Sequence, residues 1–233
     1  MRIIRTKLGL RLSQHGVVVT ELRTSPGPTH SVFDVLAALI MVLRPAGRIG
    51  VLGFAGGGMI APLKALRLQT RLATVDLDRS SYDLFCRHCP EWVAGVDWQQ
   101  ADAVQWLQRQ TREFDLLMDD LSLPYAGDVV KPDISWNLVP QLIRQRLKPD
   151  GLAVFNLLSP SGMSWRRSVA KVSRPFQTTR VIQLDDFENR ILVAGTELPS
   201  ARELGRRLRQ ALRQICSRQA GRLQVRSCPK NSL

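Results

Sequence analysis

Between Ile49 and Leu158 the chain repeats one pattern: a short apolar run, a break at glycine or aspartate, then a segment with helical spacing. Ile49–Phe54 is followed by glycines and a helix through Leu68. Arg71–Asp76 is followed by a helix over 79–89, and "VDWQQAD" by "AVQWLQRQ". "FDLLMDD" leads through an irregular loop to the helix "ISWNLVPQLIRQRL", and after "KPDG" comes the strand "LAVFNLL". Strands alternating with helices in this way predict an α/β fold, a doubly wound and mostly parallel sheet covered on both faces.

The flanks follow other rules. Residues 3–12 and 16–24 read as two strands around "SQHG", a β-hairpin with Gly16 in the turn. After the loop "TSPGPTH", Ser31 caps a helix in which Val32, Val35, Leu36, Leu39, Ile40 and Leu43 share a face. Near the other end, "TTRVIQLDD" and "NRILVAGTEL" are separated only by "FE", which predicts an antiparallel pair at one sheet edge. A final helix, Ser200–Gln219, places Leu204, Leu208, Ala211, Leu212 and Ile215 on one side, and the last dozen residues read as loose. The division expected is a hairpin over 1–28, a ligand-binding α/β domain over 29–198, and a basic helix with its tail over 199–233.

A chain of 233 residues with 44% hydrophobic content can bury one substantial core. Its longest apolar run, Val32–Leu43, contains Asp34 and is too short to span a bilayer, and the first residues lack the pattern of a signal peptide. The expectation is a soluble cytoplasmic protein with no membrane role. Cys86 and Cys89 form a CxxC around His88, but Cys216 and Cys228 supply no second close pair, so no metal is expected. The net charge of +13 is concentrated after Pro199, where Arg202, Arg206, Arg207, Arg209, Arg213, Arg218, Arg222, Arg226 and Lys230 face a single Glu203. Such a face can meet nucleic acid. With no base-reading motif beside it, a solvated face is the preferred reading.

In a doubly wound sheet ligands sit beyond the carboxyl ends of the strands. The first such end is "GFAGGG", with Gly53, Gly56, Gly57 and Gly58. No Lys-Ser or Lys-Thr follows, so it is not a P-loop, and Ala55 breaks the dinucleotide pattern G-x-G-x-x-G. Asp76 ends the second strand, where a carboxylate can accept from both hydroxyls of a ribose. Asp102 ends the third, where it can accept from an adenine amine or cap the next helix. Asp119 and Asp120 end the fourth, and two adjacent carboxylates carry an electrostatic cost that a function would explain. Ribose, adenine and glycine-loop contacts without a phosphate grip describe the site that S-adenosylmethionine needs, and its cationic sulfur suits acidic neighbours.

In this order of segments the chain resembles the class I S-adenosylmethionine-dependent methyltransferases, and within them the spermidine synthase-like branch. The resemblance runs from about Thr29 to Leu158. It rests on "GRIGVLGFAGGG", "ATVDLD", "ADAVQWL", "FDLLMDDLS" and "RLKPDGLAVFNLL", with "PTHSVFDVL" ahead of them. It implies a Rossmann-like core with an antiparallel last strand behind a small N-terminal β-subdomain. S-adenosylmethionine or its decarboxylated form would contact Gly53, Ala55, Gly56, Gly57, Asp76, Leu77, Asp102 and Ala103. Asp120 would be catalytic, and His30, Asp119 and Ser122 would meet the acceptor. It also leaves room for a homodimer, since such synthases commonly pair. Two departures bear on the substrate: Gly56 stands where those synthases carry an acid, and Leu123 stands where they carry a second aspartate. Methyl transfer to an unidentified acceptor is therefore preferred over aminopropyl transfer to a polyamine, with a non-catalytic binding protein as the third reading.

Overall fold

The computed structural model describes residues 2–7, 9–14, 17–125, 128–160 and 162–228. The chain opens with a three-stranded antiparallel sheet, β1 (Arg2–Thr6), β2 (Gly9–Gln14) and β3 (Val17–Arg23), rather than the hairpin read from the sequence. The run 3–12 breaks after Thr6, whose hydroxyl donates to the Gly9 carbonyl at 3.2 Å. Gly9 lies so close to β3 that a Cβ there would sit 2.0 Å from the Leu22 carbonyl oxygen. The expected turn residue, Gly16, lies outside the described residues. Leu10, Leu12 and Leu22 turn inward and join the main core.

The alternation that follows matches the sequence pattern. In order come α1 (Val32–Leu43), β4 (Ile49–Leu52), α2 (Ile60–Ala65), β5 (Leu72–Asp76) and α3 (Arg79–His88). Next are β6 (Val96–Gln100), α4 (Ala103–Arg109) and β7 (Phe114–Asp119). A small antiparallel hairpin, β8 (Leu123–Tyr125) and β9 (Asp128–Val130), occupies the irregular loop. Then come α5 (Leu138–Arg146), β10 (Leu147–Leu157), α6 (Trp165–Ser173), β11 (Thr178–Leu184), β12 (Phe187–Gly195), α7 (Ala201–Gln214) and β13 (Leu223–Ser227).

Eight strands form one sheet in the order β13-β11-β12-β10-β7-β4-β5-β6. β10, β7, β4, β5 and β6 are parallel; β12 runs against β10, and β11 and β13 continue antiparallel beyond it. Chain order reverses between β4 and β7, which opens a crevice at their carboxyl ends. The pleat divides the core. Val154 of β10 faces the helices α1 and α7, whereas Ala153 and Phe155 face α4, α5 and α6. Phe155 is fully buried and meets Phe176 edge-on, 5.8 Å between ring centres.

The C-terminal third is better ordered than its sequence suggests. The last helix stops at Gln214, Cys216 takes a left-handed φ of 56°, and a 3-10 turn over Arg218–Gly221 leads into β13. Residues 223–227, read from sequence as loose, pair with β11 from Leu184↔Leu223 to Arg180↔Ser227. The basic segment 199–233 is thus stitched into the main sheet as far as it is described. Its helix packs on α1 through Leu204, Leu208 and Leu212, and its arginines are partly engaged. Arg206 and Arg207 both pair with Glu203, at 2.8 and 2.6 Å, and Arg209 reaches the Leu223 carbonyl. No helix among the described residues is long and apolar enough to cross a membrane.

Candidate functional site

At the carboxyl ends of β4, β5, β6 and β7 lies a cavity of about 290 Å³. Four carboxylates line it, Asp76, Asp78, Asp102 and Asp120, and among the described residues no Lys, Arg or His does. Its walls are otherwise largely apolar, with Leu77, Ala103, Pro132 and Ile134 among them. A phosphate would meet only repulsion there, whereas an uncharged nucleoside with a cationic tail suits both the apolar walls and the acids.

Each acid is placed by its strand end. Asp76 closes β5 and turns one oxygen, Oδ2, into the glycine loop, where it accepts from the backbone N–H of Phe54 at 2.7 Å and of Ala55 at 3.0 Å. Its Oδ1 accepts from Asp78 N–H at 3.2 Å. A carboxylate offers about four acceptor positions, so Asp76 retains one for a ligand, not the two a full diol clamp uses. Asp102 caps α4 by accepting from Gln105 N–H at 3.0 Å through Oδ1. The residue also lines the cavity.

The glycine loop is shaped mainly by protein, not by a ligand. Gly53 takes φ 87°, and a Cβ there would stand 2.7 Å from the Asp120 carbonyl oxygen, so the loop and the end of β7 can touch only without a side chain. Gly53 and Ala55 line the cavity, as do Leu77 and Ala103. Gly56 and Gly57 do not: a Cβ on Gly56 would meet Leu12 at 3.0 Å, and one on Gly57 would meet Phe54 at 2.8 Å. Their lack of a side chain leaves room for the N-terminal sheet and the Phe54 ring.

The two aspartates of "DD" have separated roles. Asp119 is fully buried and pairs with Lys131 at 2.9 Å; both side chains are all but inaccessible. The same ammonium donates to the Leu121 carbonyl at 2.9 Å, tying the residue that follows β9 to the segment just past the end of β7. Asp119 is therefore a buried structural anchor, and it does not line the cavity. Asp120 faces the cavity. Its Oδ1 accepts from Asn156 Nδ2 at 2.7 Å, and Asn156 Oδ1 in turn accepts from Asn189 Nδ2 at 2.9 Å. Burial pushes the Asp120 carboxyl up to about 6, the Asn156 hydrogen bond and the Lys131 charge oppose this, and Asp119 and Asp76 add to it. Such a group is mostly ionised at neutral pH yet able to take a proton.

Ser122 lines the cavity beside Asp120, but His30 does not. His30 sits at φ 60° ahead of α1, where its carbonyl accepts from Gln219 at 2.9 Å and its Nδ1 accepts from Arg218 N–H at 3.4 Å. Beneath it, Asp34 is wholly buried and accepts four hydrogen bonds, from Thr29 N–H and hydroxyl, His30 N–H and Ser217 hydroxyl. The "PTHS" stretch is thus a joint between α1 and the C-terminal segment. Sequence reasoning missed Asn156, Asn189, Lys131 and Asp34. The sign for Asn156 and Asp34 was visible: each is a lone polar residue inside an apolar run, and a buried polar group requires a partner.

No protein-family model matches this chain, and no curated protein matches it either. Solved structures do. A probable spermidine synthase from Corynebacterium glutamicum superposes with a TM-score of 0.73 at 19% identity, covering 97% of this chain and 86% of that one. Human methyltransferase-like protein 13, solved with S-adenosylhomocysteine, gives 0.60 at 19% identity over 79% of this chain and 91% of that one. Spermidine synthase from Thermotoga maritima gives 0.63 at 16% identity over 83% of this chain and 67% of that one. The fold is the Rossmann-like fold shared by class I methyltransferases and spermidine synthases.

Proposed function

We propose that this protein is a transferase that uses S-adenosylmethionine, moving a methyl group to an acceptor whose proton is taken by Asp120. The observation that carries this reading is the composition of the cavity, four carboxylates and apolar walls with no cationic side chain among the described residues. S-adenosylmethionine, when bound, supplies a methyl group on a positively charged sulfur, already activated toward a nucleophile. The residues present fit it: the free acceptor position on Asp76 suits a ribose hydroxyl, Leu77 and Ala103 suit the faces of an adenine, and Asp102 suits its amine. Asp120, fixed by Asn156, is the one group there with both a raised pKa and a constrained orientation. It orients the acceptor and receives its proton as the new bond forms. Ser122 adds a hydroxyl on the acceptor side. Cytoplasmic residence belongs to the same reading and is supported by the free thiols of the CxxC pair, Cys86 and Cys89.

Aminopropyl transfer from the decarboxylated donor is the second reading. It is favoured by the 97% coverage against a probable spermidine synthase, which includes the N-terminal sheet. Against it, the position expected to hold a second carboxylate is Leu123, which is 45% exposed. Titration calorimetry with S-adenosylhomocysteine tests the shared core of both. Wild-type protein should bind it, and Asp76→Asn, which keeps an oxygen for the glycine loop, should bind at least tenfold more weakly. Equal binding by the two proteins removes the ribose assignment. Putrescine supplied with decarboxylated donor separates the readings, since a polyamine product would establish the second.

A further inference from the structure

A second opening lies on the same sheet edge as Asp120, between α6 and the strands β11, β12 and β13. Two adjoining hollows, of about 350 and 510 Å³, share Trp165, Gln183, Arg190 and Arg226 and so form one groove. Its end under α6 is lined by Arg166, Arg190 and Arg226, with Trp165, Val169 and Val181 as apolar surface and no carboxylate among the described residues, whereas its other end carries Asp185 and Glu188 beside Asn189. None of the three arginines takes part in an ion pair among the described residues. Arg190 is held in place by stacking, 4.4 Å above the Trp165 ring. Arg226 is steadied by the Gln224 amide oxygen at 3.1 Å. Like-charged side chains gathered at one end with no acid paired to them are unfavourable in the free protein, and burial together with Arg226 pulls the Arg190 pKa down from its ordinary value. An anion relieves that repulsion.

The groove is joined to the catalytic edge. β12 pairs with β10 at Leu157↔Arg190, so Asn189 and Arg190 emerge beside the end of β10. Asn189 lines the groove and also donates to Asn156, which donates to Asp120. We infer that the α6 end of this groove binds an organic anion, a carboxylate or phosphate ester with an apolar body, and that this anion is the recognition handle of the acceptor. The second part rests on the transferase reading; the first does not. A polyamine, with only ammonium groups, would be repelled by the arginine end.

Calorimetry with benzoate and phenyl phosphate as probes tests the inference, with benzylamine as the cationic control and S-adenosylhomocysteine titrated into the same samples. At least one anion should bind, benzylamine should not, and Arg226→Gln or Arg190→Gln should weaken anion binding at least tenfold. Binding of S-adenosylhomocysteine should be unchanged in both variants. Arg202→Gln, an exposed charge on α7, should bind the anion as wild type does, which separates a site from bulk charge. Preference between the two probes identifies the anion as carboxylate or phosphate. No anion binding, binding insensitive to Arg190 and Arg226, or equal loss in Arg202→Gln overturns the inference. Anion binding without S-adenosylhomocysteine binding overturns the acceptor role and the transferase reading while leaving the anion site standing.

Discussion

Replacing Asn156 with Leu keeps the side-chain volume nearly constant and deletes one hydrogen bond to Asp120, the 2.7 Å contact from Nδ2. A hydrogen bond to a charged group contributes about 1.5–3 kcal/mol, equivalent to roughly one to two pKa units. The Asp120 carboxyl, already near 6, should therefore rise to roughly 7–8 in the variant. Because its folded-state pKa lies above that of an ordinary carboxyl, the folded protein holds this proton more tightly than the unfolded chain. The stability it contributes is fully present below the unfolded value and is lost as pH rises through about 6. In the variant the loss continues to higher pH. Asn189 also loses its acceptor, a cost of about 1 kcal/mol that does not depend on pH. Urea unfolding at three pH values reads both parts. The deficit relative to wild type should be small and constant at acid pH, then widen by about 1.5–3 kcal/mol between pH 5 and 9. A deficit with no pH dependence would show that Asn156 does not stabilise the ionised form of Asp120, and the proton-acceptor role would lose its physical basis.

Lys131→Met should destabilise the protein by about 3–5 kcal/mol in denaturant titration, because Asp119 is left as an unpaired buried charge. The double variant Lys131→Met/Asp119→Leu should recover most of that loss; no recovery would mean that the pair is not the reason. Asp34→Ala removes the shared acceptor of four hydrogen bonds and should cost about 2–4 kcal/mol, measured the same way. If the joint is structural, as its burial indicates, S-adenosylhomocysteine should still bind to the folded fraction of Asp34→Ala with wild-type affinity.

Most of the parallel core was legible because β4, β5 and β7 are largely buried and read as apolar runs, each ended by glycine or aspartate. The edges were not. β13 is "LQVRS", where only alternate residues meet the core and the rest are polar, so in sequence it resembles a tail; its identity depends on β11, nearly forty residues upstream. The cavity acids Asp76, Asp102 and Asp120 were found by position alone. The burial of Asp119 was not legible, because alternation along β7 turns successive side chains to opposite faces and its partner Lys131 lies across a hairpin with no sequence signature. The glycines were ambiguous for a related reason. A bare backbone signals close approach, but not by what, and here Leu12 and Phe54 fill much of the space that a ligand might have explained.

The central claim is that the strand ends of β4, β5 and β6 hold an adenosyl group carrying a cationic tail. A crystal structure of the protein grown with S-adenosylhomocysteine tests it directly. The ligand should lie in the acid-lined cavity with its ribose at Asp76, its base between Leu77 and Ala103, and its sulfur turned toward Asp120. An adenosyl group seated elsewhere, or a cavity left vacant at saturating ligand, would contradict it.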